Sequence, residues 1–251
     1  MFERYSLNLE APLSLSPLVA DFTSPALWQS RFNIAPRQQI PVLRCADEVA
    51  EWVPMVWGLV PWYMHTKNSC KTETQKKAGR KTRVKLEFVN VRYEMLGNSN
   101  YFTDAFERRR CLVPATGFYE WSACGQQRHP SFKQPYNVTL PAAQPFFLAA
   151  IWDRWDGQNR VAMLVRKVEE ATTRKIKFSP IVVGREAWQD WLGPLNFNGI
   201  LYNLDIAKEM IRYPISPAVN HPHHNSCELL NPVPINQFSH LGQHTHYGRA
   251  G

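Results

Sequence analysis

Short apolar runs, separated at close intervals by turn-forming residues, constrain the fold of this chain more than any other feature of its sequence. Nineteen prolines and twelve glycines are spread over 251 residues, and both residue types mark turns and strand ends. Between them lie runs rich in β-branched and aromatic residues, for example 52–60 and 145–152, a composition typical of strands. Because turns rather than regular crossover helices connect these runs, the pattern predicts an α+β fold with a curved, antiparallel, barrel-like β core.

The same pattern predicts individual elements. Strands are expected at 52–60, 88–91, 111–121, 136–140, 145–152, 161–165 and 181–183, and helices at 101–110, 185–192 and 204–211. Hydrophobic residues make up 44% of the chain, which is enough for one sizeable core. We therefore expect a single domain over 1–241, with a basic loop insertion at 66–87 and a disordered polar tail at 242–251.

Positive charge is concentrated in one stretch. The formal net charge is +8, and residues 67–85 contain eight basic residues and one acidic residue. Such a block can neutralise phosphates and release their counterions, which indicates a polyanionic partner. A solvated loop that binds nothing is the alternative interpretation of a charge run taken alone.

Several classes of protein are excluded by what the sequence lacks. No window approaches about 18 consecutive apolar residues, and the first residues lack the layout of a secretory signal, so we expect a cytoplasmic protein without a membrane partner. The five cysteines contain no CxxC pair, which argues against a disulfide framework or a zinc cluster. His221, His223 and His224 lie near Cys227 without a second ligand pair. No metal and no cofactor are therefore expected.

Five sequence blocks carry the strongest functional signal. They read RFNIAP at 31–36, WGLVP at 57–61, NVRYE at 90–94, RRCLVPATGFYEW at 109–121 and YPISPAVN at 213–220. In this order they resemble the RYNxAP, WGLIP, NARxE, RRCLVPADGFYEW and HPVSxxVN blocks of the SOS response-associated peptidase (SRAP) family, which includes the abasic-site processing proteins. The fourth block matches nearly residue for residue, whereas a lone GFYEW would be a weak signal.

The resemblance implies a barrel-like β structure with one DNA-binding face, and it implies a chemistry. In that family a cysteine directly after the initiator methionine captures the aldehyde of an abasic site in single-stranded DNA. Its amine and thiol together form a thiazolidine, because an unprotonated amine attacks the aldehyde and a thiolate closes the ring. Asn90 and Glu120 match the family positions that orient the sugar and transfer protons.

This sequence departs from the family pattern at two positions. Phe2 occupies the position of the cysteine, and the first cysteine in the chain is Cys45. The segment that corresponds to the family's histidine block reads RKIKFSP at 174–180, so that Ile176 or Lys177 takes the place of the histidine. We therefore expect covalent thiazolidine trapping to be lost.

Three functions remain open on the sequence alone. The first, which we favour, is recognition of abasic sites in single-stranded DNA by a monomer without thiazolidine chemistry. The second is an active hydrolase or DNA–protein crosslinking enzyme that uses another amine, from Met1 or Lys177. The third is a non-enzymatic interaction module on the same fold.

The resemblance also implies a set of DNA contacts, and each residue type has a physical use. Arg4 and Arg92 can hold phosphates through bidentate hydrogen bonds. Tyr63 offers a ring on which a base can stack, and Pro36 offers an apolar wedge between base steps. Asn33 completes the set of residues expected near the nucleic acid.

Overall fold

The computed structural model describes residues 2–9, 29–46, 49–61, 87–123, 133–169, 176–184, 187–193 and 206–234. The strands are β1 (Tyr5–Leu7), β2 (Arg31–Ile34), β3 (Gln39–Ala46), β4 (Val49–Trp57), β5 (Asn90–Arg92), β6 (Arg110–Ala115), β7 (Gly117–Ala123), β8 (Lys133–Thr139), β9 (Phe146–Trp155), β10 (Gln158–Glu169), β11 (Ile176–Pro180), β12 (Val182–Val183) and β13 (Ile211–Pro214). The α-helices are α1 (Asn100–Arg108) and α2 (Trp188–Leu192), and short 3₁₀ helices cover Tyr93–Asn98, Pro141–Ala143, Ile206–Glu209, Pro217–Asn220 and Cys227–Leu230. The basic stretch 67–85, Tyr63 and the tail 242–251 lie outside the described residues.

Five strands close on themselves to form a barrel. The hydrogen-bonded order runs from β10 to β4, β3, β6 and β9, and β9 then pairs with β10 again. Closure satisfies the backbone groups that an open sheet leaves at its edges. The expectation of an α+β fold with a barrel-like β core is thus confirmed.

Alternation along the barrel strands divides the apolar side chains between two cores. In β9, Phe146 and Leu148 belong to the core shared with the second sheet, whereas Phe147 and Ala149 belong to a core on the opposite face. The helices α1 and α2 cover that opposite face, where Trp191 is fully buried. Because each fully buried large apolar side chain contributes about 1.5–3 kcal/mol, the two cores supply most of the stabilisation of the barrel.

A second, five-stranded sheet lies against the barrel in the order β13-β8-β7-β1-β2. One face contributes Tyr5 and Phe118 to the core shared with the barrel. The other face carries Tyr119, which packs with Ile215 and Leu229 from the C-terminal segment. The sheet is therefore covered on both faces.

The C-terminal segment also covers the two outer strands of this sheet. At β2, Asn225 Oδ1 accepts hydrogen bonds from the backbone N–H groups of Phe32 (2.7 Å) and Asn33 (3.3 Å). At β13, the N–H of Val233 donates to the carbonyl of Pro214 at 2.9 Å. Both edges thus have their exposed backbone groups bonded by residues of one segment.

Gly117 marks the point where the chain passes from the barrel to the second sheet. It begins β7, and only Thr116 separates it from the last residue of β6. A Cβ atom at this position would lie 2.6 Å from Asn137 Oδ1 and 3.0 Å from Ser6 Oγ. A larger residue would push β7 away from β8 and β1, so the passage between the sheets requires glycine here.

Two of the predicted elements are wrong. The run 111–121, predicted as one strand, forms β6 and β7 in different sheets, because the chain changes direction at Thr116 and Gly117. The run 204–211 was predicted as a helix, but its described part, 206–211, has a 3₁₀ turn at Ile206–Glu209 and then enters β13 at Ile211. Tertiary pairing with β8 draws Ile211 into the sheet.

Most other predicted elements are confirmed with shifted ends. The strand predicted at 52–60 is β4, and the helix predicted at 101–110 is α1. The antiparallel expectation holds for most pairs, but β10 runs parallel to both β4 and β5. The strands β1, β2, β3, β11 and β13 are absent from the predicted set. All except β3 are only three to five residues long, and the apolar run within β3 covers only residues 40–43.

Candidate functional site

The start of the chain is held inside the molecule by the ring of Phe2. This ring packs on Trp57 with 5.6 Å between ring centroids and meets Phe118 edge-on at 5.9 Å. Phe2 is only 3% exposed. Because β1 pairs with β7, with Tyr5 opposite Phe118, the residues that precede β1 lie beside the face of β7 that carries Phe118.

Asn90 reaches the backbone of residue 2 from the barrel. It begins β5, and the parallel pairing with β10 places it opposite Met163. Its Nδ2 donates a hydrogen bond to the carbonyl oxygen of Phe2 at 2.5 Å. Its Oδ1 is buried, and no group of the described residues donates to it. One acceptor at the site therefore remains open to a polar ligand.

Glu120 lies on the same face of β7 as Phe118, two residues along the strand. Its Oε2 is 2.6 Å from Lys177 Nζ of β11 and 3.6 Å from Arg212 Nε of β13. The carboxylate side chain is 13% exposed, and each of the two cationic side chains is 34% exposed. This small network joins the five-stranded sheet to a strand that extends from the barrel.

Arg212 is held by further contacts that none of the sequence motifs predicted. Its guanidinium lies over the ring of Tyr136 at 3.7 Å, and its Nη2 donates to Ser122 Oγ at 2.5 Å. Both partners are strand neighbours of Glu120: Ser122 follows it in β7, and Tyr136 lies opposite it in β8. The one available sequence signal was an arginine in a short strand directly before the YPISPAVN block.

Arg92 and Phe178 complete the site on the barrel side. The exposed guanidinium of Arg92 lies over the ring of Phe178 at 4.4 Å. Phe178 packs against the shared core and is the chain neighbour of Lys177. Contacts therefore run continuously between the two sheets, and we name the site they form the seam. It comprises Phe2, Asn90, Arg92, Glu120, Lys177 and Arg212.

The charge in the seam favours an anionic ligand. Three cations, Arg92, Lys177 and Arg212, accompany one carboxylate, Glu120. Arg92 is the most open of them, because it stacks on an aromatic ring and is exposed to solvent. The arrangement can hold a phosphate, offer an unpaired acceptor to a hydroxyl, and move a proton between Lys177 and Glu120.

Arg4 lies next to this site and is half-buried. Its Nη1 donates to the carbonyl of Glu3 at 2.9 Å, and its buried Nε has no hydrogen-bond acceptor in the described part of the chain. Burial lowers the pKa of Arg4 from its ordinary value, and the neighbouring Glu3 carboxylate opposes this effect. A charged guanidinium that is buried without a full set of hydrogen-bond partners is stabilised when an anion binds beside it.

The hydrogen bonds of Asn33 lead away from this network, to the C-terminal segment. Asn33 is 2% exposed, and its Nδ2 donates to the carbonyls of Val219 (3.1 Å) and His221 (3.0 Å). Pro36 is half-buried in the turn after β2, beside Arg37 with its positive φ of 71°. The predicted DNA contacts therefore lie in two places. Arg4 and Arg92 lie at the seam, whereas Asn33 is bonded to the C-terminal segment that covers the second sheet.

Thiols in the described residues lie elsewhere. Cys111 is buried in the shared core, and burial raises the pKa of its thiol well above the ordinary value. Cys45 and Cys227 are exposed, at the end of β3 and at the start of the 3₁₀ helix Cys227–Leu230. The described seam contains a primary amine, a carboxylate and an amide, but no sulfur nucleophile.

The described residues contain no group of three or more His, Cys, Asp or Glu side chains that could hold a metal ion. Within the same residues, no helix is both long and apolar enough to cross a membrane.

Comparison with known proteins identifies relatives over most of the chain. The sequence model of the family described as SOS response associated peptidase (SRAP) matches residues 1–222. Abasic site processing protein YoqW of Bacillus subtilis is 24% identical over 223 residues, covering 84% of this chain and 90% of that protein. The corresponding values for abasic site processing protein YedK of Escherichia coli are 23% over 212 residues, with 81% and 85% covered.

Solved structures show the same fold. A phage-related protein of Bordetella bronchiseptica superposes with a TM-score of 0.60 at 17% identity, covering 85% of this chain and 93% of that chain. A protein of Bacteroides thetaiotaomicron superposes with a TM-score of 0.58 at 21% identity, covering 81% and 86%.

Proposed function

Since the chain belongs to the SOS response associated peptidase (SRAP) family, we propose that it recognises abasic sites in single-stranded DNA at the seam. Several relatives bear the name abasic site processing protein, among them YoqW and YedK. Recognition proceeds without a thiazolidine, because Phe2 occupies the position of the family's cysteine and offers no thiol.

The placement of Phe2 is the single observation that carries this proposal. Its carbonyl accepts the hydrogen bond from Asn90, so the backbone of residue 2 is held at the amide that the family uses. Its side chain is an aromatic ring buried between Trp57 and Phe118. The backbone of residue 2 is thus bonded to Asn90, while a packing side chain stands where the family has its nucleophile.

Electrostatics supports single-stranded DNA as the ligand. Arg92 and Arg4 each carry a guanidinium that can hold a phosphate: Arg92 is exposed, and the buried Nε of Arg4 has no acceptor among the described residues. The basic stretch 67–85 leads directly into β5, which carries Asn90 and Arg92. It would add phosphate contacts beside the lesion, so that affinity falls steeply with salt.

The remaining predicted contacts have defined roles in the proposal. Tyr63 stacks on a base next to the abasic position, which is worth about 1–3 kcal/mol per base. Pro36 separates a base step at the edge of the site. Asn33, whose amide holds the carbonyls of Val219 and His221, fixes the segment that borders this surface.

A gel-shift series tests the proposal. The full chain is titrated onto single-stranded oligonucleotides that carry either a natural abasic site, a tetrahydrofuran analogue without an aldehyde, or an intact base. We expect tighter binding of both abasic forms than of intact DNA, and no band that survives denaturing electrophoresis. Equal affinity for all three oligonucleotides contradicts damage recognition, and a band that survives denaturation contradicts the loss of stable trapping.

A matched pair of arginine variants connects the result to the seam. Arg92→Ala removes an exposed cation from the seam and should weaken binding by about 1–3 kcal/mol, with a smaller salt slope. Arg108→Ala removes an equally exposed cation from α1, where it pairs with Asp104 at 3.1 Å, and should leave binding unchanged. Equal effects of the two changes would indicate non-specific attraction by net charge.

A further inference from the structure

Lys177 is the one primary amine in the described seam, and its surroundings differ from those of a solvated surface lysine. Its Nζ lies 2.6 Å from Glu120 Oε2, and its side chain is 34% exposed. The amine is therefore reachable by a ligand and in direct contact with a group that can take its proton. An amine must lose its proton before it can attack an aldehyde, and a carboxylate in contact with it supplies an acceptor for that proton.

We propose that Lys177 Nζ forms a reversible imine with the ring-opened aldehyde of the abasic site, with Glu120 as the group that accepts and returns the proton. This inference rests on the proposed function, which supplies the aldehyde. It assigns to the seam a covalent activity that needs neither a thiol nor residue 2.

The proton and electron balance of the step closes within the seam. Glu120 Oε2 accepts a proton from the Lys177 ammonium, and the freed nitrogen lone pair attacks the aldehyde carbon to form a C–N bond. The carbonyl π electrons move to oxygen, which takes a proton from the attacking nitrogen to give a neutral carbinolamine. Glu120 then returns its proton to the departing hydroxyl, and water leaves as the C=N bond forms. The net reaction converts amine and aldehyde into imine and water.

A second cation, Arg212, also contacts Glu120. Arg212 Nε lies 3.6 Å from the same oxygen, and its guanidinium is fixed independently by the ring of Tyr136 and by Ser122 Oγ. When Lys177 gives up its proton, the lysine–glutamate pair becomes neutral and Arg212 stays in place. Its positive charge is then available to a phosphate next to the abasic sugar.

Asn90 and Phe178 supply the remaining features that an aldehyde site requires. The buried Oδ1 of Asn90, to which no described group donates, can accept a hydrogen bond from a sugar hydroxyl. Phe178, the chain neighbour of Lys177, packs against the shared core and carries Arg92 on its ring. The strand that bears Lys177 is therefore anchored next to the amine.

Borohydride trapping tests the inference. The full chain is incubated with single-stranded DNA that carries one natural abasic site, with and without sodium borohydride, and the products are separated under denaturing conditions. We expect a protein–DNA band only with the reductant, because hydride converts the imine into a stable amine. The tetrahydrofuran oligonucleotide, which has no aldehyde, should give no such band.

Two conservative variants identify the amine. Lys177→Arg keeps a positive charge beside Glu120 but cannot form an imine, so the trapped band should disappear even at protein concentrations that saturate the native gel shift. Lys167→Arg is the matched control: it lies opposite Phe178 on β10, is exposed, and should trap like the original chain. Trapping that survives Lys177→Arg, or a reduced adduct that maps to the peptide containing Met1, overturns the inference.

Glu120→Gln tests the proton transfer separately. At protein concentrations that saturate the native gel shift, it should slow trapping by about 10²-fold, the usual contribution of a positioned acid or base. An unchanged trapping rate removes Glu120 from the mechanism. A chain that shifts abasic DNA without ever giving a borohydride-dependent band refutes the imine alone, whereas a chain that does not distinguish abasic from intact DNA refutes the proposed function itself.

Discussion

Two regions of the molecule each hold a charged side chain, and they hold it by different means. On the helix-covered face of the barrel, Arg110 is 8% exposed and donates to backbone carbonyls alone. Its acceptors are Phe106, Glu107, Trp191 and Gly193. In the seam, Glu120 has two partners among the described residues, and both are cationic side chains that end in solvent.

The difference separates a structural charge from a reactive one. Backbone carbonyls are fixed by their helices and strands, so Arg110 cannot exchange its partners without unfolding α1 and α2. Side-chain partners can swing away or give up a proton, so Glu120 and Lys177 can rearrange when a ligand enters. Burial lowers the pKa of Arg110, and the carbonyl acceptors keep the charged form in place all the same.

The largest effect on stability should come from the barrel side of this comparison. Arg110→Ala leaves several buried carbonyls without a donor and should lower the free energy of unfolding by about 3–5 kcal/mol, measured by urea denaturation. Arg108→Ala, two residues away and exposed, should change it by no more than about 0.5 kcal/mol. A loss below about 1 kcal/mol for Arg110→Ala would mean that its hydrogen bonds are not what anchors the helices.

The next effect should come from the part of the seam that is packed like a core. Phe2→Ala removes the ring between Trp57 and Phe118 and should cost about 3 kcal/mol. Phe2→Leu, which preserves most of the volume, should cost less than about 1.5 kcal/mol. If both changes leave the melting temperature unaltered, the ring of residue 2 contributes nothing to the stability of the fold. Packing then cannot be the reason why a phenylalanine stands in place of the family's cysteine.

A much smaller stability change is expected at the charge of the seam. Glu120→Gln weakens two partly exposed ion pairs and should cost less than about 1 kcal/mol in urea denaturation. Glu51→Gln, which weakens the pair with Arg44 at 2.6 Å, should cost about the same. The two variants should differ only in abasic-DNA trapping, and a large loss of stability for Glu120→Gln alone would make the seam a structural site like that of Arg110.

The smallest effect on stability is expected from the removal of a buried hydroxyl, that of Tyr5. Tyr5 is fully buried, and its OH has no hydrogen-bond partner among the described residues. Tyr5→Phe should therefore change the free energy of unfolding by less than about 0.5 kcal/mol at pH 7. Tyr119→Phe should cost about 1 kcal/mol, because the OH of Tyr119 donates to the carbonyl of Phe32 at 2.5 Å.

The same tyrosines should make stability depend on pH in alkali. Burial raises the pKa of Tyr5 and Tyr119 above the ordinary value. Above about pH 10 the unfolded chain loses protons that the folded chain retains, so the free energy of unfolding falls as pH rises. Each Tyr→Phe change should reduce that slope, as measured by urea denaturation between about pH 9 and 11; an unchanged slope would mean that these hydroxyls ionise freely in the folded protein.

The fold class could be predicted from the sequence because it depends on local patterns. The runs that became β4, β9 and β10 contain enough alternating or continuous apolar residues to mark strands, and α1 carries its apolar residues on one side. The error at 111–121 had a different origin. Apolar residues lie on both sides of Gly117 in this segment, and the close approach of the glycine to Asn137, which lies in another strand, cannot be read from the local pattern.

For the site, the family motif identified the residues but not the contacts between them. Asn90, Glu120 and Lys177 were all singled out from the sequence, yet nothing indicated that the latter two would lie 2.6 Å apart. They are 57 positions apart and lie in different sheets. Arg212 and Tyr136 belong to no block of the motif, and only the pairing of β7 with β8 and of β8 with β13 brings them to Glu120.

The way the second sheet ends has a consequence for self-association. The five-stranded sheet, unlike the closed wall of the barrel, ends in two outer strands, β2 and β13, where it could recruit a strand from another molecule. Residues 225–233 contact both of them, through Asn225 and Val233. Removal of this segment after a single proteolytic cut would expose the backbone groups of both outer strands at once. Molecules without the segment would be prone to polymerise edge to edge.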